Sequence, residues 1–411
     1  MPARYLSFRC SVPWLILLLQ TLFLIRSILA FPRVGDIYSP FSFYPDFQDI
    51  NHMVIFGFGF FLMVLRRYGF SSTGFSFLLV VLAVQCSVLV EDCLVFLGAQ
   101  HKEPGWISLT NAVVSSAAVV ISTGAVLGKA NPVQLIVMTL VESVFFYVSR
   151  WINRTFLQVL DHVTLKHLHL FGAYFGLAVA SRFPEAPPGL DKHRSSPRSE
   201  LLSMLGTAFV WVFWPSFNSI LSDVKERAVL NTCLALAVSA VAAFMLSALT
   251  SKDGKFRMAH VHGAALAGGV AVAPTAHSIQ QPWIAMILGL LGAVITVLGS
   301  HCVQRCFHPA LKLQDTSGVH FTFGLPAVLG AVAAVVLRVV EGIDRQWNDL
   351  SSLGYLVFVD IGAFCQTTCT ALITGLITGL ILNTKLLKAV HVSKYFDDQF
   401  YWEFPHLSVG F

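Results

Sequence analysis

Long apolar runs alternate with short polar intervals along the whole chain. The runs lie near 11–31, 50–65, 74–97, 107–128, 132–149, 163–181, 201–221, 228–250, 258–273, 282–300, 322–338 and 354–382. A helix needs roughly 20 consecutive apolar residues to cross a bilayer, so the pattern predicts about twelve transmembrane helices. The shorter runs are expected to extend into their polar flanks. One interval differs from the rest: 182–200, RFPEAPPGLDKHRSSPRSE, is rich in Pro, Ser and charge and divides the helices into two sets. The predicted plan is a single membrane domain over 1–411. It has an extra first span (11–31), a first repeat at about 46–181, the linker, a second repeat at about 201–338, a last span at about 354–382 and a tail over 383–411.

Composition narrows the class. Of 411 residues, 55% are hydrophobic and only 12% are charged, whereas soluble domains carry roughly 25% charge. With a mean hydropathy of +0.71, the fold class is an all-α polytopic membrane protein, and no charged block remains for a sizeable soluble domain. The net charge of +5 is spread over loops, which reads as an orientation signal and not as a nucleic-acid patch. An even number of crossings puts both termini on one side. Most Lys and Arg then fall on that side, so the positive-inside rule predicts cytosolic termini. The N-terminal apolar run is long and lacks a small-residue cleavage site, so it reads as a retained span and not as a signal peptide. Cys302/Cys306 and Cys365/Cys369 have helical spacing, but no neighbouring ligands complete a metal site, and no cofactor is expected. The tail from Lys394, KYFDDQFYWEFPHLSVGF, is too polar to span and too aromatic for a plain disordered segment. It is expected to pack on the cytosolic face or on a partner.

A pattern of polar residues repeats across the two sets. Asp161–Gly176 reads DHVTLKHLHLFGAYFG and Asp315–Gly330 reads DTSGVHFTFGLPAVLG. Both fit D-x7-(H or F)-x6-G, with His169 in the first copy and Phe323 in the second. Asp161 and Asp315 each open a helix, as N-caps or as shapers of a pore mouth. If the halves pack as an inverted pair, positions 169 and 323 face each other near mid-membrane, where transporters bind cargo. Two imidazoles there would share a proton and offer a polar path. With Phe323 opposite, His169 has lost that partner, and His320, three residues earlier, is the available substitute about one helical turn (5.4 Å pitch) away. A lone intramembrane histidine also serves as a structural hydrogen-bonding group, and both readings stand at this point. Phe217, in Trp214–Asn218, is either an interfacial aromatic anchor or a ring over a pore mouth. Arg26, Glu91, Asp92, Glu142 and Asp360 are expected to pair between helices. Asn153-Arg154-Thr155 is a glycosylation sequon close to a helix end, and Cys10 is a palmitoylation candidate.

Short motifs then identify a family. YPDFQD (Tyr44–Asp49), GFGFFLM (Gly57–Met63), GAVLGK (Gly124–Lys129), FGAYFGLAVA (Phe171–Ala180), FWPSFNS (Phe213–Ser219), LAGGVAV (Leu266–Val272) and the YFDDQFYWEFPHLSVGF tail resemble the Rh family of the ammonium transporter/Rh superfamily. The likeness extends over nearly the whole chain. Within that family the tail and Val261–Val272 look most like the blood-group (D/CE-type) polypeptides of red cells. The resemblance implies a twelve-helix subunit with an inverted repeat and a pore through each subunit, assembled as a trimer. By position, His169 matches the first of the family's twin pore histidines, Asp161 the aspartate before it, and Phe217 one of two gate phenylalanines. Three positions depart from the conducting pattern: Phe323 at the second twin histidine, Val114 at the other gate phenylalanine, and Gly263 at an asparagine. A bulky ring in place of the mid-pore imidazole should dry or block the lumen.

The expected protein is therefore a plasma-membrane, Rh-like subunit of the erythrocyte with weak or absent conduction of its own. The resemblance implies as partners the Rh-associated glycoprotein and, through the tail, the ankyrin-based membrane skeleton, with outer loops displayed as antigens. The alternative is a working ammonia or ammonium channel, with carbon dioxide as a further candidate cargo, that uses His169 with His320. No HExxH, GxSxG or comparable catalytic motif supports an enzyme.

Overall fold

The computed structural model describes residues 6–30, 44–99, 105–186, 191–306, 315–344, 350–387 and 389–403. Among them the structure is helical with no strand, as the absence of water in a bilayer demands of backbone N–H and C=O groups. Each predicted apolar run coincides with a helix. The first is α1 (Leu6–Ala30). The second crossing is α2 (Tyr44–His52), a π-helical turn (Met53–Gly57) and α3 (Phe58–Phe61). Then follow α4 (Gly69–Phe96), α5 (Gly105–Ala125) and α6 (Pro132–Thr155). The next crossing is broken into α7 (Asp161–Lys166) and α8 (Leu168–Ala180). The second set comprises α9 (Pro197–Ser219), α10 (Lys225–Thr250), α11 (Met258–Val272), α12 (Pro282–Cys306) and a π-helical turn (His320–Gly324) leading into α13 (Leu325–Asp344). The long α14 (Leu350–Leu382) closes the bundle. Eight described helices are long and apolar enough to cross a membrane.

Local chemistry explains where several helices begin. Asn131 and Gln134 form a reciprocal capping box at the start of α6, with Pro132 in the first turn. Ser196 and Ser199 do the same for α9, with Pro197 next. Both boxes satisfy orphan N–H groups that lipid would leave bare, and proline needs no N–H there. The second box starts α9 earlier than the apolar pattern at 201 suggests.

The two sets pack in the same order. In the first, α4 lies on α5 and α6, and α8 lies on α5. In the second, α10 lies on α11 and α12, and α13 lies on α11. The first repeat, α2 to α8, makes five crossings, so the second enters with the opposite sense and the repeat is inverted. The glycines that end the two sequence patterns have matching jobs. A Cβ on Gly176 would sit 2.6 Å from Ser122 Cα of α5, and one on Gly330 would sit 2.5 Å from the Ala271 carbonyl oxygen of α11. Close backbone approach of this kind replaces the hydrophobic drive that is absent between helices in lipid.

Charged residues within the helices pair as expected. Arg26 of α1 meets Asp92 of α4 at 3.5 Å, Arg338 of α13 meets Asp360 of α14, Ser108 donates to Glu91, and Ser122 donates to Glu142. The tail packs on its own bundle. Phe396 N–H donates to the Gly128 carbonyl at 2.9 Å. Asp398 accepts from the Phe70 and Ser71 N–H groups, both at 2.9 Å, at the start of α4. Lys192 of the linker pairs with Asp397 at 2.8 Å.

Candidate functional site

The break between α7 and α8 places His169 in the first turn of α8, near the middle of its crossing. Gly172 and Gly176 press this segment onto Ala118 and Ser122 of α5, which fixes the ring's position. His169 is 1% exposed, and neither ring nitrogen has a protein hydrogen-bond partner. Instead it is held by rings. Trp214 lies parallel at 5.5 Å, Phe323 parallel at 6.4 Å, and Phe217 edge-on at 5.8 Å. The 169 and 323 positions thus face each other across the interface of the two repeats. A buried imidazole without partners forgoes the hydrogen bonds that buried polar groups normally make.

Phe323 belongs to a second layer of rings. Phe58 lies 6.0 Å and Phe61 5.9 Å from it, and the His262 ring stacks on Phe61 at 3.8 Å. His262 Nε2 also lies 2.9 Å from the Phe61 carbonyl. Sequence reasoning passed over His262. Its only signal was a histidine inside an apolar helix, because the chain segments that meet it are far apart in sequence. His320 does not join His169. Its ring packs edge-on against Tyr174 at 6.0 Å and Phe321 at 5.0 Å. The π-helical turn at His320–Gly324 rotates successive residues less per step than an α-helix would, so residues three apart no longer share a face.

The remaining candidates are placed as follows. Asp315 accepts from the N–H groups of Gly318, Val319 and His320 at 2.9, 2.9 and 2.7 Å, so it caps the turn that carries Phe323. Burial raises its carboxyl above the usual range, against the pull of these N–H groups and of Lys129. Burial likewise lowers Lys129 to about 8, although Asp315 and Glu185 oppose it. Asp161 is the first residue of α7, and Leu160 takes the cap position; the Asp161 side chain lies outside the described residues, as does that of Cys10. Val114 is fully buried in α5. Gly263 abuts the π-turn: a Cβ there would lie 2.6 Å from Thr322 Oγ1, so this position has no room for an asparagine in the present packing. Phe217 is fully buried in the last turn of α9, inside the bundle and not at an interface with lipid headgroups. Asn153, the residue of the sequon beside a helix end, is turned into the bundle. It is 1% exposed and donates to Thr367 Oγ1 of α14 at 3.0 Å, which leaves no room for a glycan. His167 Nδ1 lies 3.2 Å from the same hydroxyl, tying the α7–α8 break to α14.

A helical polytopic protein with an inverted repeat, broken helices and buried rings meeting between its halves has the architecture of a membrane transporter or channel. The chain belongs to the Ammonium Transporter Family, whose profile matches residues 39–399. An RH-like protein of Macaca mulatta is 39% identical, with 98% of each chain covered. The Blood group Rh(CE) polypeptide of Homo sapiens is 40% identical over 89% of this chain and 88% of that one. Among solved structures, that of Nitrosomonas europaea Rh50, from work on conduction by the Rhesus family of channels, superposes with a TM-score of 0.76. Its identity is 29%, over 90% of this chain and 93% of that one. The protein is thus an Rh-like, multi-pass membrane member of a transporter family with blood-group relatives.

Proposed function

We propose that this protein is an Rh blood-group-like subunit that keeps the channel fold and does not itself conduct ammonia at an appreciable rate. The observation that carries the reading is the Phe323 ring, parallel to His169 at 6.4 Å and backed by Phe58 and Phe61. On this reading His169, Phe217, Phe323, Asp161 and Asp315 are lumen residues. An apolar ring in the place of a second imidazole leaves His169 without a partner for proton sharing and resists wetting of the constriction.

The subunit assembles as a trimer at the plasma membrane, with both termini cytosolic, and its partner is the Rh-associated glycoprotein. Tyr395, Phe396, Asp397 and Asp398 are buried against the bundle, so attachment to an ankyrin-based skeleton draws on exposed neighbours such as Leu386. The test is ammonia-driven pH change in proteoliposomes of the purified protein, beside co-purification with the glycoprotein. Silent wild type that co-purifies is the expected result, with measurable flux gained by Phe323→His. Robust flux from wild type alone would overturn the proposal in favour of a working channel.

A further inference from the structure

Lys166 ends α7, and the chain turns at His167 before α8 resumes. The lysine points into the bundle and is 5% exposed. Its Nζ donates to the Phe217 carbonyl oxygen at 2.8 Å and sits 5.5 Å from the centre of the Phe217 ring. Phe217 lies in the last turn of α9, where carbonyls lack a donor within the helix and carry the negative end of its dipole. A helix-end carbonyl and an aromatic face are the two features that hold a desolvated ammonium group. The edge of the same Phe217 ring meets His169 at 5.8 Å. The acceptor and the π-face beside the ring cluster are therefore already occupied by an amine of the chain itself. No other side chain resembles the cargo so closely: protonated, it is an alkylated ammonium; deprotonated, an alkylated ammonia.

We propose that Lys166 is a tethered amine that fills the cargo position beside Phe217 and His169 and restricts the lumen further than Phe323 does by itself. The proposal rests on the reading of the ring cluster as the lumen. It makes the restriction double: Phe323 covers one face of His169, and Lys166 holds the Phe217 side. Hydrogen bonds from a charged donor correspond to about a ten- to hundredfold change in occupancy, so a free cation competes poorly with one already attached.

The first test is binding of radiolabelled methylammonium to the full-length detergent-solubilised protein by equilibrium dialysis. We compare wild type, Lys166→Met and Lys166→Arg. Lys166→Met removes the amine at similar length and should bind methylammonium about ten- to hundredfold better than wild type. Lys166→Arg keeps a cation and should remain like wild type. Equal binding by all three, with size-exclusion profiles unchanged, overturns the proposal. The second test is flux in proteoliposomes. Phe323→His with Lys166→Met should conduct at least about tenfold faster than Phe323→His alone, and equal rates would overturn the proposal. Wild-type flux is the separate observation that decides the functional reading, so the two can fail independently.

Discussion

Asn153 shows how one residue can carry a motif that its surroundings cancel. The sequon is complete in the sequence, yet the side chain is buried and bonded to Thr367. Glycosidase treatment of the expressed protein should leave its gel mobility unchanged, and Asn153→Gln should migrate with wild type. The same substitution should lower Tm, because disturbing a buried hydrogen bond costs about 1–3 kcal/mol. The sequence placed the sequon near a helix end but could not reveal the neighbour, since Thr367 is 214 residues away. His169 and Phe323 were legible for the opposite reason: both sit in an internal repeat, and a repeat encodes a long-range contact as a local pattern. Lys166 and His262 had no such pattern. Their positions depend on a helix break and on ring stacking, and hydropathy reports neither.

Elements were legible wherever burial in lipid alone decided them. The apolar runs located every crossing, but not the interruptions at Met53–Gly57, His167 and His320–Gly324, which answer to packing. The tail depends on a cap supplied from a distance. Asp398 accepts the Phe70 and Ser71 N–H groups that α4 cannot satisfy for itself. Asp398→Ala should loosen both ends of that contact and cost about 1 kcal/mol, seen as faster proteolysis of the tail. The contact should also depend on pH. Burial, the largest effect, and then the charge of Asp397 raise the Asp398 carboxyl, against hydrogen bonds from Ser71 and Phe70. The docked state therefore favours the protonated form. Its added stability is complete below the ordinary value of 3.8, declines as pH rises through the docked-state pKa, and is level above it. Asp398→Asn retains one acceptor and should protect the tail equally at all pH values. A wild-type tail whose protease resistance increases with pH would contradict this account.

At the scale of the whole molecule, the inverted repeat implies that corresponding positions bear corresponding loads. Gly176 lets α8 reach the backbone of α5 at Ser122, and Gly330 lets α13 reach that of α11 at Ala271. In both places the atom in the way of a Cβ is backbone, so it cannot rotate aside and a whole helix must shift. Overpacking of this kind costs about 1–3 kcal/mol per site. Gly176→Ala and Gly330→Ala should each lower Tm in detergent. Because Gly176 meets α5 and Gly330 meets α11, with no blocking atom in common, the double variant should show the sum of the single effects, within about 0.5 kcal/mol. The consequences for the rings should differ, however. Gly176 lies on the helix that carries His169, and Gly330 on the helix that follows Phe323, so each substitution displaces one side of the facing pair. In a Phe323→His background either substitution should reduce the flux gained, because two imidazoles can share a proton only at hydrogen-bonding distance. A thermal loss with unchanged flux would mean that the glycines hold the halves together without setting the distance between their rings.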